Sequence, residues 1–147
     1  MQRRKFITLI GCAAAAWPLA ARAQEKARIP KIGVLWHAGN AKEEGPLFTA
    51  LVEGFRNLGY VEGRNIVLEH RFPNETPERF RSMAADLVSL NVDALVGAGI
   101  QAASALREGT KTIPVIFMFL PDPVGSKLVH SLARPGGNIT GLSNFAP

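Results

Sequence analysis

The chain has 147 residues, a length that accommodates one ordinary domain, and 47% of its residues are hydrophobic, enough for a packed core and too many for a mainly disordered polypeptide. Its formal net charge is +5, but four of the 17 basic residues and none of the 12 acidic residues lie in residues 1–23. The 13 basic residues that remain are nearly balanced by the 12 acidic ones, which argues against the basic surface of a nucleic-acid-binding domain.

The first 23 residues have the three parts of a secretory signal peptide. Residues 1–5 are basic, residues 6–21 are apolar and rich in alanine, and Ala21-Arg22-Ala23 has the small-x-small form of a cleavage site. The apolar run is too short for a membrane span, and Pro18 interrupts it. Arg3-Arg4-Lys5-Phe6-Ile7 is similar to the twin-arginine export motif. We therefore predict a periplasmic protein, exported by the twin-arginine route or, alternatively, by the general secretory route.

Cys12 leaves a second interpretation of this segment open. Leu9-Ile10-Gly11-Cys12 has the form of a lipoprotein box, in which the cysteine becomes the acylated first residue. Only about six apolar residues precede it, fewer than the 7–15 of a usual signal. A lipid anchor through Cys12 is therefore the minor alternative. Because the chain has one cysteine, an intrachain disulfide is excluded.

After a polar linker at residues 24–30, strand and helix patterns alternate along the chain. Short, mostly apolar runs predict five strands, at residues 31–36, 66–72, 93–96, 114–120 and 139–143. Helical spacing of apolar residues predicts four helices, at residues 46–58, 77–88 (capped by Thr76), 100–108 and 124–132. This alternation predicts an α/β fold with a doubly wound parallel sheet.

Ligands of such a sheet bind at the carboxyl ends of its strands, so the residues that follow the strands are the candidate site. His37 and Ala38 follow the first strand. The His37 imidazole can donate to a carboxylate, although an exposed loop histidine is the plainer interpretation. Gly99, Ile100 and Gln101 open a helix whose N–H groups suit an anion such as a carboxylate. A tight turn that requires small residues is the alternative.

Phe119 and Asp122 follow the fourth strand. The Phe119 ring can pack on a ligand ring, and the Asp122 carboxylate can pair with an ammonium group. Asp122 before Pro123 also has the form of a helix cap. A second acidic feature, the pair Glu43 and Glu44, is predicted to be a solvated part of the loop after the first strand.

The hexapeptide Gly97-Ala98-Gly99-Ile100-Gln101-Ala102 also fits the G-x-G-x-x-A dinucleotide fingerprint, with Asp122 about 20 residues further on. It follows the third strand rather than the first, and an exported protein rarely meets NAD. A Rossmann-like enzyme fragment that binds a nucleotide or dinucleotide is therefore the alternative, and a secreted remnant without function is another. The chain has no G-x-S-x-G elbow, P-loop or short metal-ligand motif, so we predict no catalysis, cofactor or metal.

Four segments carry a family resemblance that covers nearly the whole chain: the signal region, Leu58-Gly59-Tyr60-Val61-Glu62-Gly63-Arg64-Asn65, Ala84-Ala85-Asp86-Leu87-Val88, and the stretch from Asp122-Pro123-Val124 to Leu132-Ala133-Arg134-Pro135-Gly136-Gly137-Asn138-Ile139-Thr140-Gly141. Together they resemble the ABC transporter substrate-binding proteins. The resemblance implies a type I periplasmic binding protein, in which two flavodoxin-like lobes close on a solute.

A complete member of that family is about twice this length, so the resemblance implies that residues 31–147 are the N-terminal lobe, truncated before the second lobe. It also implies a small solute, foremost an aromatic or branched amino acid, and ABC permease subunits in the inner membrane as partners. An uncovered inter-lobe face would leave apolar surface exposed, which predicts self-association through that face.

Overall fold

The computed structural model describes residues 28–144, so the predicted signal peptide, Cys12 and most of the linker lie outside the described residues. Five strands form, at Lys31–Leu35 (β1), Val67–Arg71 (β2), Ala94–Ala98 (β3), Val115–Leu120 (β4) and Ile139–Ser143 (β5). The helices are Ala41–Glu44 (α1), Pro46–Asn57 (α2), Pro77–Ser89 (α3) and Gly99–Gly109 (α4). Every predicted strand is confirmed, as are the first three of the predicted helices.

All five strands are parallel, in the order β2-β1-β3-β4-β5. This is the order of flavodoxin-like folds, and it confirms the predicted doubly wound sheet. The order reverses between β1 and β3, which are neighbours in the sheet. Leu35 pairs with Arg71 on one side and with Gly97 on the other, so β2, β1 and β3 end level at one edge.

Helices cover both faces of the sheet, which explains why its strands are apolar almost throughout. On one face α3 and α4 pack over a core that includes Leu35, Leu95 and Leu106, all fully buried. On the other face α2 packs over a smaller core around Val34 and Trp36, also fully buried. Successive residues of β1 therefore supply both cores, as expected for a period of two along a strand.

The helix predicted at residues 124–132 is wrong, because turns and bends fill this segment. Asp122 Oδ1 accepts a hydrogen bond from the Gly125 N–H at 2.7 Å, and Lys127 has a φ of +58° that an α-helix does not allow. The carbonyl oxygens of Lys127 and Leu128 accept from the Arg107 guanidinium instead of from helical N–H groups. Asp122 thus caps a turn rather than a helix.

Two local predictions also need correction. The loop predicted after the first strand contains the short helix α1, where the Asn40 side chain accepts from the N–H groups of Lys42 and Glu43. The Thr76 side chain does not cap α3; its hydroxyl donates to the Asn74 carbonyl at 3.1 Å.

Between residues 28 and 144 no helix combines the length and the hydropathy that a bilayer span requires.

Candidate ligand-binding site

The predicted site residues follow three strands that are neighbours in the sheet. His37 and Ala38 follow β1, Gly99 to Gln101 open α4 directly after β3, and Phe119 and Asp122 lie at or just beyond the end of β4. Because parallel strands end at the same edge, these three loops occupy consecutive positions there, beside the point where the strand order reverses. The structure thus places all seven predicted residues at one edge of the sheet.

The loop after β1 is held by a buried carboxylate. Glu44 Oε1 accepts from the N–H groups of His37 at 2.8 Å and Ala38 at 2.7 Å, and its side chain is 0% exposed. Glu43 Oε2 accepts from the Gly39 N–H at 2.9 Å. The prediction that the pair is merely solvated is therefore wrong for Glu44, whereas Glu43 is exposed as predicted and additionally accepts this hydrogen bond. The backbone N–H groups of His37 and Ala38 have an internal acceptor, so only the His37 side chain, 45% exposed, is left to face a ligand.

The segment after β3 combines two features that the sequence left as alternatives. Gly99 has a φ of +82°, and a Cβ on Gly97 would lie 2.8 Å from the Ala103 backbone nitrogen, so both positions require glycine. These glycines let α4 begin at the strand end and pack tightly on β3. The first turn leaves the N–H groups of Ile100 and Gln101 without acceptors inside the helix, at its positive end. The same backbone therefore provides a tight turn and an anion-favouring helix terminus.

Phe119 has an uncommon backbone conformation. Its φ is +60°, which is unfavourable for a bulky side chain, and the pairing of β4 with β5 shifts register between Phe117 and Leu120. Phe119 as a whole residue is 40% exposed. The bulge thus turns an aromatic residue away from the regular alternation of the strand and leaves it open to solvent at the candidate edge.

Asp122 already makes hydrogen bonds within the fold. Its Oδ1 accepts from the Gly125 N–H, and its backbone carbonyl accepts from the Ser126 N–H at 3.1 Å. The residue is nevertheless exposed. The capping interpretation therefore applies to a turn, and a pairing of Asp122 with a ligand ammonium group stays a prediction.

An apolar cavity of about 260 Å³ next to Phe119 was not anticipated from the sequence. Its walls come from α2, the end of β4 and the end of β5: Leu47, Ala50, Leu51, Met118, Phe119, Leu142, Ser143 and Asn144. The helical spacing of Leu47 and Leu51 indicated only a core-facing stripe. That these residues meet the ends of β4 and β5 depends on strand order, which local spacing does not reveal.

Beneath the loop after β1 lies an aromatic cluster that contains a histidine. The Trp36 Nε1–H donates to His70 Nδ1 at 3.0 Å, and Trp36 also packs on Phe48 and Phe72. His70 Nε2 is buried and has no hydrogen-bond partner among residues 28–144. Burial lowers the pKa of His70, and Arg71 acts in the same direction, against the opposing charges of Glu62 and Glu69.

This lowered pKa predicts that folding stability depends on pH through His70. The unfolded chain binds the proton more readily, with a histidine pKa of about 6.5, so stability is full above that pH. Stability falls as the pH drops from about 6.5 towards the lower pKa that His70 has in the folded protein. We expect His70→Asn to reduce this loss, because Asn does not titrate and its Oδ1 can still accept from Trp36. Urea unfolding of both proteins between neutral and mildly acidic pH measures the difference, and parallel pH curves would contradict the assignment.

Metal-ligating side chains do not gather in the described part of the chain. Across residues 28–144 no group of three or more His, Cys, Asp and Glu side chains is close enough to hold a metal ion. The candidate site therefore consists of a helix terminus, one exposed imidazole and apolar or aromatic surface.

Comparison with known proteins finds a matching family model and a similar curated protein. A family model described as ABC transporter substrate binding protein matches residues 44–147. A curated tyrosine-binding protein of Clostridioides difficile strain R20291 is 32% identical over 94 residues, which cover 64% of this chain and 27% of that protein.

Two solved structures are similar in fold and in sequence. A conserved domain protein from Vibrio cholerae superimposes with a TM-score of 0.74 at 36% identity, covering 82% of this chain and 40% of that one. The ABC domain in complex with L-Trp from Streptococcus pneumoniae gives a TM-score of 0.71 at 30% identity, covering 78% of this chain and 38% of that one. The chain thus spans less than half the length of these three relatives.

Proposed function

The chain belongs to the family of ABC transporter substrate-binding proteins, and from this membership we propose that it is the solute-binding component of an ABC importer. In this proposal it captures an α-amino acid in the periplasm and delivers it to permease subunits in the inner membrane. The observation that carries the proposal is the alignment of the loops after β1, β3 and β4 at one edge of a parallel sheet, where such folds bind ligands. The relatives named for tyrosine and L-Trp support an aromatic amino acid.

The chemistry of this edge suits such a solute. The positive end of α4 favours a carboxylate, the exposed His37 imidazole offers a polar contact, and Phe119 and the neighbouring cavity offer apolar surface for a side chain. The described residues form one wall of such a site, since the chain spans 27% to 40% of its relatives. Large apolar side chains exposed near this edge, Ile100, Phe119 and Leu142, also support the proposed self-association.

Backbone amide NMR during titration with L-tryptophan and L-tyrosine tests the site directly. We expect chemical-shift changes to concentrate in the loops after β1, β3 and β4. Tryptamine, which lacks the carboxylate, should perturb the start of α4 less than L-tryptophan does. Chemical-shift changes that instead cluster around Arg107, Lys111 and Lys127, which line a separate basic cavity, would mean that the ligand binds there and not at this edge. The absence of any change with either amino acid would favour a remnant without function.

A substitution at the start of α4 should separate binding from stability. Ile100 is 50% exposed in the first helical turn. In Ile100→Asp the new carboxylate stabilises the helix by about 0.3–1 kcal/mol. The same charge repels the carboxylate of an amino acid, so we expect the affinity for L-tryptophan to fall at least about tenfold, or ~1.4 kcal/mol. Calorimetric titration and urea unfolding measure the two effects.

Ile100→Asn is the matched control, because it has the shape of the aspartate without its charge. It should bind L-tryptophan more tightly than Ile100→Asp does. Equal affinities of the two variants would argue that no ligand carboxylate approaches α4.

Export is part of the proposal. Cleavage after Ala23 would leave Gln24 as the first residue of the periplasmic chain. Mass spectrometry of the mature protein distinguishes this outcome from acylation of Cys12.

The alternative from another functional class is an enzyme fragment that uses a dinucleotide. Gly97 and Gly99 are accounted for by the close approach and start of α4, so the fingerprint needs no nucleotide to explain it. Fluorescence titration with NADH tests the alternative, and saturable binding would favour it over the transporter proposal.

A further inference from the structure

Glu44 is a buried acid, and both of its carboxylate oxygens contact the loop after β1. Oε1 accepts from the backbone N–H groups of His37 and Ala38 at 2.8 and 2.7 Å. Oε2 lies 2.9 Å from His37 Nδ1. Among residues 28–144 no donor makes a hydrogen bond of standard geometry with Oε2, so the imidazole meets it as an ion-pair contact, and the whole Glu44 side chain is 0% exposed. A desolvated carboxylate in this position depends on the two backbone N–H donors and on the imidazole nitrogen that lies next to Oε2.

This arrangement determines which nitrogen of neutral His37 carries the hydrogen. An unprotonated Nδ1 carries partial negative charge, and at 2.9 Å from a desolvated carboxylate oxygen that charge is repelled. The hydrogen therefore stays on Nδ1, and the neutral ring keeps a bare Nε2. Nε2 makes no hydrogen bond within the described residues, and the side chain is 45% exposed at the carboxyl end of β1.

We propose that Glu44 is a positioning residue that fixes the tautomer of neutral His37 and so makes Nε2 a hydrogen-bond acceptor at the ligand-binding edge. An acceptor there accepts a hydrogen bond from a ligand ammonium or hydroxyl group, whereas a ligand carboxylate has no hydrogen to donate to it. This reverses the role expected from the sequence, in which His37 donates to a carboxylate. The tautomer follows from the contacts of Glu44 alone; its use for a ligand rests on the proposed function.

The acceptor complements the helix terminus on the next strand. β1 and β3 are adjacent, so the loop that carries His37 lies beside the start of α4. A helix N-terminus favours a carboxylate, and a bare imidazole nitrogen favours an ammonium group. The two together select a zwitterion, which identifies the ligand class as a free α-amino acid rather than a simple carboxylic acid or amine.

In Glu44→Gln the neutral His37 ring should change from the Nδ1–H to the Nε2–H tautomer. The N–H groups of His37 and Ala38 still need an acceptor, and only the amide oxygen of Gln can serve. Its NH₂ group then faces His37 Nδ1 as a donor, so Nδ1 must accept and the hydrogen moves to Nε2. Long-range ¹H–¹⁵N NMR of the imidazole reads the tautomer of the neutral ring without a ligand, in a pH series that is continued until the nitrogen shifts stop changing.

The expected result is an Nδ1–H tautomer in the original chain and an Nε2–H tautomer in Glu44→Gln. Glu43→Gln is the matched control: it removes the same charge one residue away, but Glu43 contacts Gly39 and Asn40 rather than His37, so the Nδ1–H form should persist. An Nε2–H tautomer in the original chain would overturn the proposal. So would an unchanged tautomer in a Glu44→Gln protein that circular dichroism finds folded. The spectrum of the original chain alone decides the point if that variant does not fold.

A ligand pair tests the use of the acceptor. We expect the original chain to prefer L-tryptophan over indole-3-propionate, which lacks the ammonium group, by about tenfold, the effect of roughly 1.4 kcal/mol from one charged hydrogen bond. Glu44→Gln should lose most of this preference, and Glu43→Gln should retain it. Equal weakening of both ligands would overturn the positioning role. If neither ligand binds any of the three proteins, the proposed function fails while the tautomer result stands.

Discussion

Gly97→Ala should lower the free energy of unfolding by about 2–3 kcal/mol, the upper part of the range for overpacking a tight core. A Cβ at this position would lie 2.8 Å from the backbone nitrogen and 2.9 Å from the Cα of Ala103. Backbone atoms cannot rotate away as a flexible side chain can, so α4 must move off β3. That shift would open the core around Ala102 and Leu106, both fully buried. Urea unfolding followed by far-UV circular dichroism measures the loss.

Gly54→Ala is the control for this prediction, because the residue change is the same and the surroundings differ. Gly54 lies within α2, and a Cβ there would meet nothing within 4 Å. The helix propensity of alanine should raise stability by about 0.5–1 kcal/mol. A Gly97→Ala protein as stable as the original chain would mean that α4 and β3 do not approach this closely.

The strands and most helices could be predicted because their signals are local. Lys31–Leu35 is apolar almost throughout since both faces of β1 are covered, and Phe80, Ala84 and Leu87 of α3 repeat at helical spacing and are buried. The segment at residues 124–132 also has a helix-like apolar pattern. There a distant group decides the structure: Arg107, some 20 residues earlier, binds the carbonyl oxygens that a helix would use.

The same distinction between local signals and distant contacts applies to the candidate site. Residues that follow strands could be found from the strand pattern, and the sheet order then brings His37, Gly99 and Phe119 to one edge. The contact of Glu44 with His37 could not be found, because the two lie seven positions apart and Glu44 ends a short helix that was not predicted. An acidic side chain in a loop is usually solvated, and only the three-dimensional position of α1 places this carboxylate under the loop.

Trp36→Ala should be the most destabilising of the substitutions considered, at about 3–5 kcal/mol, the usual cost of removing a large buried aromatic side chain. Trp36 is 0% exposed and holds the smaller core together by its contacts with Phe48 and Phe72. Its removal also leaves His70 Nδ1 without its donor. Since a domain of this kind is stable by only about 5–15 kcal/mol, a substantial fraction of the chain should unfold at moderate urea concentration.

The same substitution should release the loop that carries His37, because Trp36 is the residue immediately before it and anchors the end of β1. Hydrogen exchange at the amides of His37 and Ala38 should accelerate beyond the change in global stability. Leu58→Ala is the control: Leu58 is 76% exposed, so its loss should change stability by no more than about 0.5 kcal/mol and leave those amides protected. If Trp36→Ala were as stable as Leu58→Ala, the aromatic cluster would not be what holds the loop after β1 in place.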